Sequence, residues 1–486
     1  VTSSVQSLTA SYACSDDTVN QLWSNLVWSN VDNFLWVPTD CPQRNERMGW
    51  SGDINVFGRT ATYVSNASPF LRRHLQAMRD TQSTDGRYAD IAPVGGGFGG
   101  ILWGSAGITL PWENYLQYGD TSMLEEHYNS MQRYMTYLEE TINPVTGLIM
   151  DAGLGDWLGP QNFQLGSAYL ASAYYIFTLD IMSEVATVLG HDEDAAFYAQ
   201  SANTRREHFA NTFVNDEQKA LGKVSNASMF DAMAGELKTV VADTQTAYAV
   251  GLAMGAFEDS AKDTMAANLA RTVSRANVDD NGVERPPYSL MTGFIGTAWI
   301  SQSLSEHGYS EEAYKLLLND QYPSWLYPVE QGATTIWERL NGYTVENGFG
   351  GNNNMNSFNH YSFGAVGQWL MQYSGGIRRG EPGFKSFVLA PEIDPTNSIT
   401  WVDASYDSLY GTIVSQWKRE GDKLIYMATV PANTDARLIL PASSVTQITE
   451  GGIALTEAPG ISDVHATEQG VSMTLGSGKY SFTITP

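Results

Sequence analysis

Between about residues 16 and 374, apolar residues recur every three or four positions, the spacing that lines one face of an α-helix. The pattern predicts helices over 18–32, 69–82, 123–141, 165–189, 193–213, 244–254, 260–276, 293–307 and 311–318. The stretch 165–189 is apolar almost all the way round, so it is expected to be buried on most faces. Short connections such as Gly119-Asp120 and Gly190-His191-Asp192 alternate with long ones rich in Gly, Asn, Trp or Tyr, at 36–53, 85–107, 150–164, 279–292 and 330–360. That alternation suits antiparallel helix hairpins set in a ring, with the long loops gathered on one face. Loops of this length inside a compact domain usually carry function.

After Gly375 the texture changes. Period-two, β-branched runs appear at 386–389, 411–417, 423–430, 435–440, 471–475 and 479–484, with turns at Glu420-Gly-Asp and Gly476-Ser-Gly. The pattern predicts an antiparallel β domain of roughly 100 residues, in the size range of a sandwich. The expected organisation is therefore mainly α, with a helical domain over 1–380 and a C-terminal β-sandwich over 381–486. Neither an internal repeat nor a low-complexity tract is present.

Composition narrows the function classes. A net charge of −26 leaves no basic excess to neutralise phosphates, which argues against nucleic acid and anionic membrane surfaces. No run of eighteen apolar residues predicts a membrane span. Only 16% of residues are charged while 12% are aromatic, with 13 Trp and 25 Tyr; that balance suits either a large aromatic core or stacking on neutral ligands such as sugars. The two cysteines, Cys14 and Cys41, are too few for a disulfide scaffold and allow at most one bridge. Asn66-Ala-Ser and Asn226-Ala-Ser match the glycosylation acceptor pattern, and the chain opens on Val1 rather than Met, as after removal of a leader. An extracellular or periplasmic location is the expectation that fits them.

The densest chemistry lies at 40–53, Asp-Cys-Pro-Gln-Arg-Asn-Glu-Arg-Met-Gly-Trp-Ser-Gly-Asp. Pro42, Gly49 and Gly52 predict an ordered loop rather than one helix. Glu46 sits between Arg44 and Arg47, with Asp40, Trp50 and Asp53 close by. A carboxyl group among other carboxylates and apolar surface keeps its proton more readily, as a general acid must. The plain alternative is that the two arginines staple the loop to its acids. A second carboxylate, Glu338, follows Trp337 and precedes Arg339 in Gly332-Ala-Thr-Thr-Ile-Trp-Glu-Arg; it suits a general base, or else a surface pair with Arg339. His360, in Asn359-His-Tyr-Ser-Phe-Gly, is a candidate hydrogen-bonding group, or a structural histidine. Trp103 and Trp157, beside glycines on long loops, are expected to wall a sugar site, and Trp112 to pack in the core. No Walker loop, dinucleotide fingerprint, His-Glu-x-x-His or Gly-x-Ser-x-Gly occurs, and the Gly95-Gly-Gly-Phe-Gly-Gly run lacks the lysine of a phosphate loop. No cofactor or metal is expected.

The 40–53 motif resembles the signature loop of the α-L-rhamnosidases of glycoside hydrolase family 78. Further resemblances follow in order: Leu110-Pro-Trp, Gly155-Asp-Trp-Leu, Thr244-Gln-Thr-Ala-Tyr, Thr292-Gly-Phe-Ile-Gly-Thr, Tyr322-Pro-Ser-Trp, Gly332-Ala-Thr-Thr-Ile-Trp-Glu-Arg, Asn359-His-Tyr-Ser-Phe-Gly and Tyr410-Gly-Thr-Ile-Val-Ser-Gln-Trp. The resemblance implies an (α/α)6 barrel followed by a C-terminal β-sandwich, and inverting release of terminal α-L-rhamnose from a carbohydrate substrate. It implies Glu46 as general acid and Glu338 as general base, with Asp40, Arg44, Trp50, Asp53, Trp103, Trp157 and His360 contacting sugar. Two departures stand out. Ser105 occupies a position where the family usually has an aspartate, and family members usually carry β domains ahead of the barrel, which suggests a minimal member or a fragment. The competing expectations are a glycosidase of the same scaffold acting on another sugar or uronic acid, and an inert carbohydrate-binding protein.

Overall fold

In a computed structural model of the chain, residues 3–5, 7–149, 151–224, 237–350 and 356–485 are described. The acceptor triplet at Asn226 lies outside them, while Asn66 is exposed just before the helix Ser68–Asp80. The helices alternate between amphipathic and almost wholly buried. Asp17–Asn33, Ser68–Asp80, Ser122–Glu140, Asp192–Phe213, Lys262–Ser274 and Ser310–Leu317 each keep a polar face in solvent. Each is followed by a buried helical partner: Ser51–Val64, Ala106–Tyr118, Ser167–Leu189, Gln245–Ala253, the pair Phe294–Thr297 and Ile300–Glu306, and the segment running from Tyr361 to Ser374. Six outer–inner hairpins result, and the last inner segment packs against the first, Ser51–Val64, to close the ring.

Two inner helices, Ser51–Val64 and Ala106–Tyr118, escape the periodicity argument. Every residue of Ser51–Val64 except Asn55 is buried, including Asp53, Arg59, Thr60 and Thr62, so no polar face alternates with the apolar one. The buried charge of Arg59 is satisfied by hydrogen bonds to Gln302 Oε1 at 2.6 Å and to the Ala298 carbonyl at 2.7 Å, and its guanidinium lies over the Trp299 ring. Ala106–Tyr118 carries Pro111 inside the helix, a residue that ordinarily argues for a break. The predicted helix at 165–189 begins at Ser167, because Gly166 takes a left-handed φ of 80°. The one predicted at 293–307 is two shorter helices.

The connections fall as the alternation predicts. Inner-to-outer links are short; outer-to-inner links are long and meet at one end of the ring. There Leu154 N–H donates to the Gly99 carbonyl at 3.1 Å, Asp280 N–H to Pro160 at 2.7 Å, Leu290 N–H to Pro323 at 2.8 Å, and Gln43 Nε2 to Ser357 Oγ at 2.9 Å. Each contact joins a different pair of long loops.

The β region is two packed sheets. One runs Ala10–Cys14, Trp401–Ser408, Gly411–Glu420, Lys423–Val430, Gly478–Ile484, Ile448–Glu450, Ile453–Ala454; the other runs Ile461–Thr467, Gly470–Leu475, Asp435–Leu440, Ser386–Leu389, Ile377–Arg379. Pairing is antiparallel throughout except between Asp435–Leu440 and Ser386–Leu389, which run parallel. The first sheet takes its edge strand, Ala10–Cys14, from ahead of the helical ring. The sheets seat on the barrel through polar anchors as well as apolar contact: Trp417 Nε1 donates to the Ser374 carbonyl at 3.0 Å, and Tyr12 and Ser374 hydroxyls meet at 2.8 Å.

Candidate active site

The 40–50 segment is a loop closed at its neck. Asp40 N–H donates to the Met48 carbonyl at 2.9 Å, and Met48 N–H returns to Asp40 Oδ1 at 2.8 Å. Gly49 lets this neck lie against the next loop: a Cβ there would stand 2.1 Å from the Ala92 carbonyl oxygen. Contrary to the prediction of a loop through residue 53, the helix Ser51–Val64 begins immediately after Trp50, so Asp53 sits in its first turn. That turn presents unpaired N–H groups, a favourable place for a carboxylate.

Arg44 ties the two candidate catalytic carboxylates together. Its Nη2 lies 2.8 Å from Glu46 Oε2 and its Nη1 3.6 Å from Glu338 Oε2. Trp50 Nε1 donates to the other Glu46 oxygen at 2.8 Å. Glu338 is buried and fixed by reciprocal bonds with Ser357: Glu338 N–H to the Ser357 carbonyl at 2.9 Å, and Ser357 N–H to Glu338 Oε2 at 3.0 Å. Arg47 makes no ion pair among the described residues, so the stapled-loop alternative holds only for Arg44.

Behind this pair, His360 Nε2 lies 2.6 Å from Asp53 Oδ1, which also accepts from Ser362 Oγ at 2.8 Å. Burial works against a charged His360, but Asp53, Glu338 and Asp40 overcome it and push the imidazolium up to about 9. Burial raises the Asp40 carboxyl to about 6, with His360 opposing and Asp53 and Glu46 adding to the rise. Asp40 Oδ2 accepts the Cys41 thiol proton. Both cysteines are free and buried, so the bridge that the sequence allowed is not formed.

The tryptophans divide differently from expectation. Trp103 lies on the short helix Ile101–Gly104 and is 2% exposed. Its indole is clasped by Gly52 and Gly99, where an added Cβ would come within 2.2 Å of the ring. It is a floor under the Asp53 turn rather than an open wall. Trp157 is half-buried and borders a cavity. Trp112 is half-buried, on the rim of the core rather than inside it. Ser105 is fully buried, and its hydroxyl donates to the Ile101 carbonyl at 2.7 Å. Its difference from the family pattern is therefore enclosed between two helices.

Several residues that shape the site carried no separate sequence signal. Asp156 is buried one residue before Trp157. Its carboxylate accepts from Thr246 Oγ1 at 2.5 Å and from the N–H groups of Gly293 and Gly296 at 2.7 and 2.9 Å, pinning the Trp157 loop to the start of Phe294–Thr297. Ser357, Ser362 and Gln43 act through hydrogen bonds to Glu338, Asp53 and Ser357. Asp156, Ser362 and Gln43 all lie within quoted motifs, Gly155-Asp-Trp-Leu, Asn359-His-Tyr-Ser and 40–53, but none of them was given a role there.

Six helical hairpins, with paired carboxylates and tryptophans on the loop face, define the six-hairpin glycosidase fold. The chain belongs to the bacterial α-L-rhamnosidase family: residues 7–374 match the bacterial alpha-L-rhamnosidase six-hairpin glycosidase domain and residues 376–454 the corresponding C-terminal domain. An alpha-L-rhamnosidase of Streptomyces avermitilis is 34% identical over 471 residues, 96% of this chain and 41% of the relative. The crystal structure of Streptomyces avermitilis alpha-L-rhamnosidase complexed with L-rhamnose superimposes with a TM-score of 0.85 at 32% identity, covering 99% of this chain and 42% of that one. The structure of alpha-L-rhamnosidase from Dictyoglumus thermophilum gives 0.84 at 28% identity, covering 99% and 51%. The chain thus spans about half the length of the relatives it matches.

Proposed function

We propose that this chain is the catalytic portion of an inverting α-L-rhamnosidase, acting on carbohydrates that end in α-L-rhamnose. The carrying observation is Arg44, whose one guanidinium touches both Glu46 and Glu338. A guanidinium is only a few ångströms across, so these contacts hold the two carboxylates below the upper end of the roughly 6.5–9.5 Å used by inverting enzymes. The family membership and the rhamnose complex of the Streptomyces avermitilis relative support rhamnose as the sugar.

In this reading Glu46 gives its proton to the glycosidic oxygen as the bond to the anomeric carbon breaks. Glu338 takes a proton from water, whose oxygen attacks the opposite face of that carbon. The products are free β-L-rhamnose and the protonated leaving group. Asp53, held by His360 and Ser362, and Asp40, held by Met48 N–H and Cys41, are fixed acceptors for sugar hydroxyls. Trp157 offers an aromatic face to the ring.

Proton NMR of an aryl α-L-rhamnoside digest tests this directly. The first-formed rhamnose should be the β anomer, and Glu46→Gln and Glu338→Gln should each lower turnover at least about a hundredfold in a folded protein. Release of α-rhamnose first, or full activity in either variant, would defeat the assignment.

A further inference from the structure

A cavity of about 350 Å³ reaches the residue next to Glu338. Trp157 forms one side, and Arg339, the residue after Glu338, another; Phe163, Tyr322 and Asn341 also line it. Its size lies near the lower end for small-ligand sites and suits one pyranose ring between aromatic faces. Phe294, whose N–H donates to the Trp157 carbonyl at 3.0 Å, packs its ring 5.4 Å from His360, so one buried side chain links the Trp157 loop to the Asp53–His360 pair.

Three of the four charges lining this cavity are matched. Arg285 donates to Asp279 Oδ2 at 2.8 and 3.1 Å, and its guanidinium lies 4.8 Å from the Tyr322 ring centre. Asp280 accepts from Phe163 N–H at 3.1 Å and Gln164 Nε2 at 3.3 Å. Arg339 is different. Among the described residues its side chain pairs with no carboxylate and donates no hydrogen bond, and its Nε is buried without a partner. A guanidinium has five donors and is always charged, so leaving it unmatched in a recess is costly. A planar carboxylate is the group that fits it.

We propose that this cavity receives the sugar to which the rhamnose is attached, and that this sugar is a uronic acid whose carboxylate is bound by Arg339. The proposal rests on the rhamnosidase reading. It is also limited to one acidic sugar: the neighbouring cavity, which shares Arg285, Tyr322 and Asn341, is lined by Asp320, Glu330 and Glu346 and repels a second uronate. The substrate class is therefore rhamnose capping a single uronic acid, not a run of them.

The test compares kcat/KM on a rhamnosyl-glucuronic acid disaccharide and on its methyl ester, with an aryl α-L-rhamnoside as control. The wild-type chain should prefer the acid about tenfold or more, as expected for a charge-assisted pair, and the preference should shrink with added salt. Arg339→Gln should bring the ratio to about one. A wild-type ratio of one or less overturns the proposal, as does a ratio that survives in Arg339→Gln. If that variant does not fold, Arg339→Lys replaces it and should keep only part of the preference; a full preference overturns the assignment to Arg339. If the wild type cleaves no aryl rhamnoside, it is the rhamnosidase reading that has failed. Calorimetry of glucuronate against glucose then decides the subsite alone: tighter binding of glucuronate supports it, and equal binding overturns it.

Discussion

His360 Nε2 stands 2.6 Å from Asp53 Oδ1, joining the last inner segment of the helical ring to the first turn of the first inner helix. The pair makes stability depend on pH in a defined direction. The histidine is raised to about 9 in the fold from about 6.5 in an unfolded chain. Its contribution is fully present below about pH 6.5 and is lost as pH rises through about 9. Asp40, raised to about 6, adds a loss in the same direction at lower pH, complete above that value. Denaturant midpoints should fall between pH 6.5 and 9 by an amount equivalent to a few kcal/mol. His360→Gln should be less stable at pH 6 but show a flatter alkaline limb; an unchanged slope would contradict the pairing.

The two carboxylates should respond differently to the leaving group. A proton donor matters less when the departing group is acidic, so Glu46→Gln should recover activity on a 2,4-dinitrophenyl rhamnoside relative to an alkyl one. Glu338→Gln should stay about equally impaired on both, by about a hundredfold or more. Equal recovery in both variants would leave the acid and base roles unassigned to these positions.

Arg44→Lys removes the planar bridge while keeping charge. The ammonium cannot span Glu46 and Glu338 as the guanidinium does. Catalytic efficiency should drop about ten- to a hundredfold, while the melting temperature changes by no more than about 2 °C, since the side chain is a partly open part of the loop. Wild-type kinetics in this variant would remove the bridge from the mechanism.

Gly52→Ala tests the floor beneath Asp53. The added methyl carbon would stand 2.2 Å from the Trp103 indole, a large ring that is itself 2% exposed. Either the helix start or the indole must shift, with an expected loss of about 1–3 kcal/mol in denaturant unfolding. A double variant, Gly52→Ala with Trp103→Leu, should regain part of that loss; no recovery would place the strain elsewhere.

Free Cys14 and Cys41 predict indifference to reductant. The melting temperature with and without dithiothreitol should agree within about 1 °C, whereas a bridge closing a loop of this kind is worth about 3 kcal/mol.

The 40–53 segment was legible in the sequence as a candidate site because acids, arginines and a tryptophan crowd there between a proline and two glycines. The ring was legible through its outer helices, whose polar faces create the three- and four-residue rhythm. Ser51–Val64 gave no such rhythm, because a helix buried on every side has no polar face to alternate, and its buried Arg59 reads as surface until Gln302 and Ala298 are seen to satisfy it. Trp103 looked like a wall because glycines flanked it. Of the nearby glycines only Gly99 faces the indole, and with Gly52 of the helix Ser51–Val64 it lets the backbone approach the ring. Asp156 and Ser357 were given no role because their contacts run through backbone groups that only folding brings together, the Gly293 and Gly296 N–H groups on Asp156 and the N–H and carbonyl of Ser357 on Glu338, which leave no trace in the side-chain pattern.

The strand Ala10–Cys14 has a consequence for how the chain is made. Its sheet neighbour, Trp401–Ser408, includes Ser405, whose hydroxyl meets that of Ser11 across 394 residues. A ribosome releases the strand ahead of the ring and its partner only after the whole ring has been synthesised. During that interval the strand carries unpaired backbone groups that can template pairing with another chain. The sheet is therefore completed only when a strand translated ahead of the ring meets one translated behind it, and those five residues stay open to other chains for the whole of that interval.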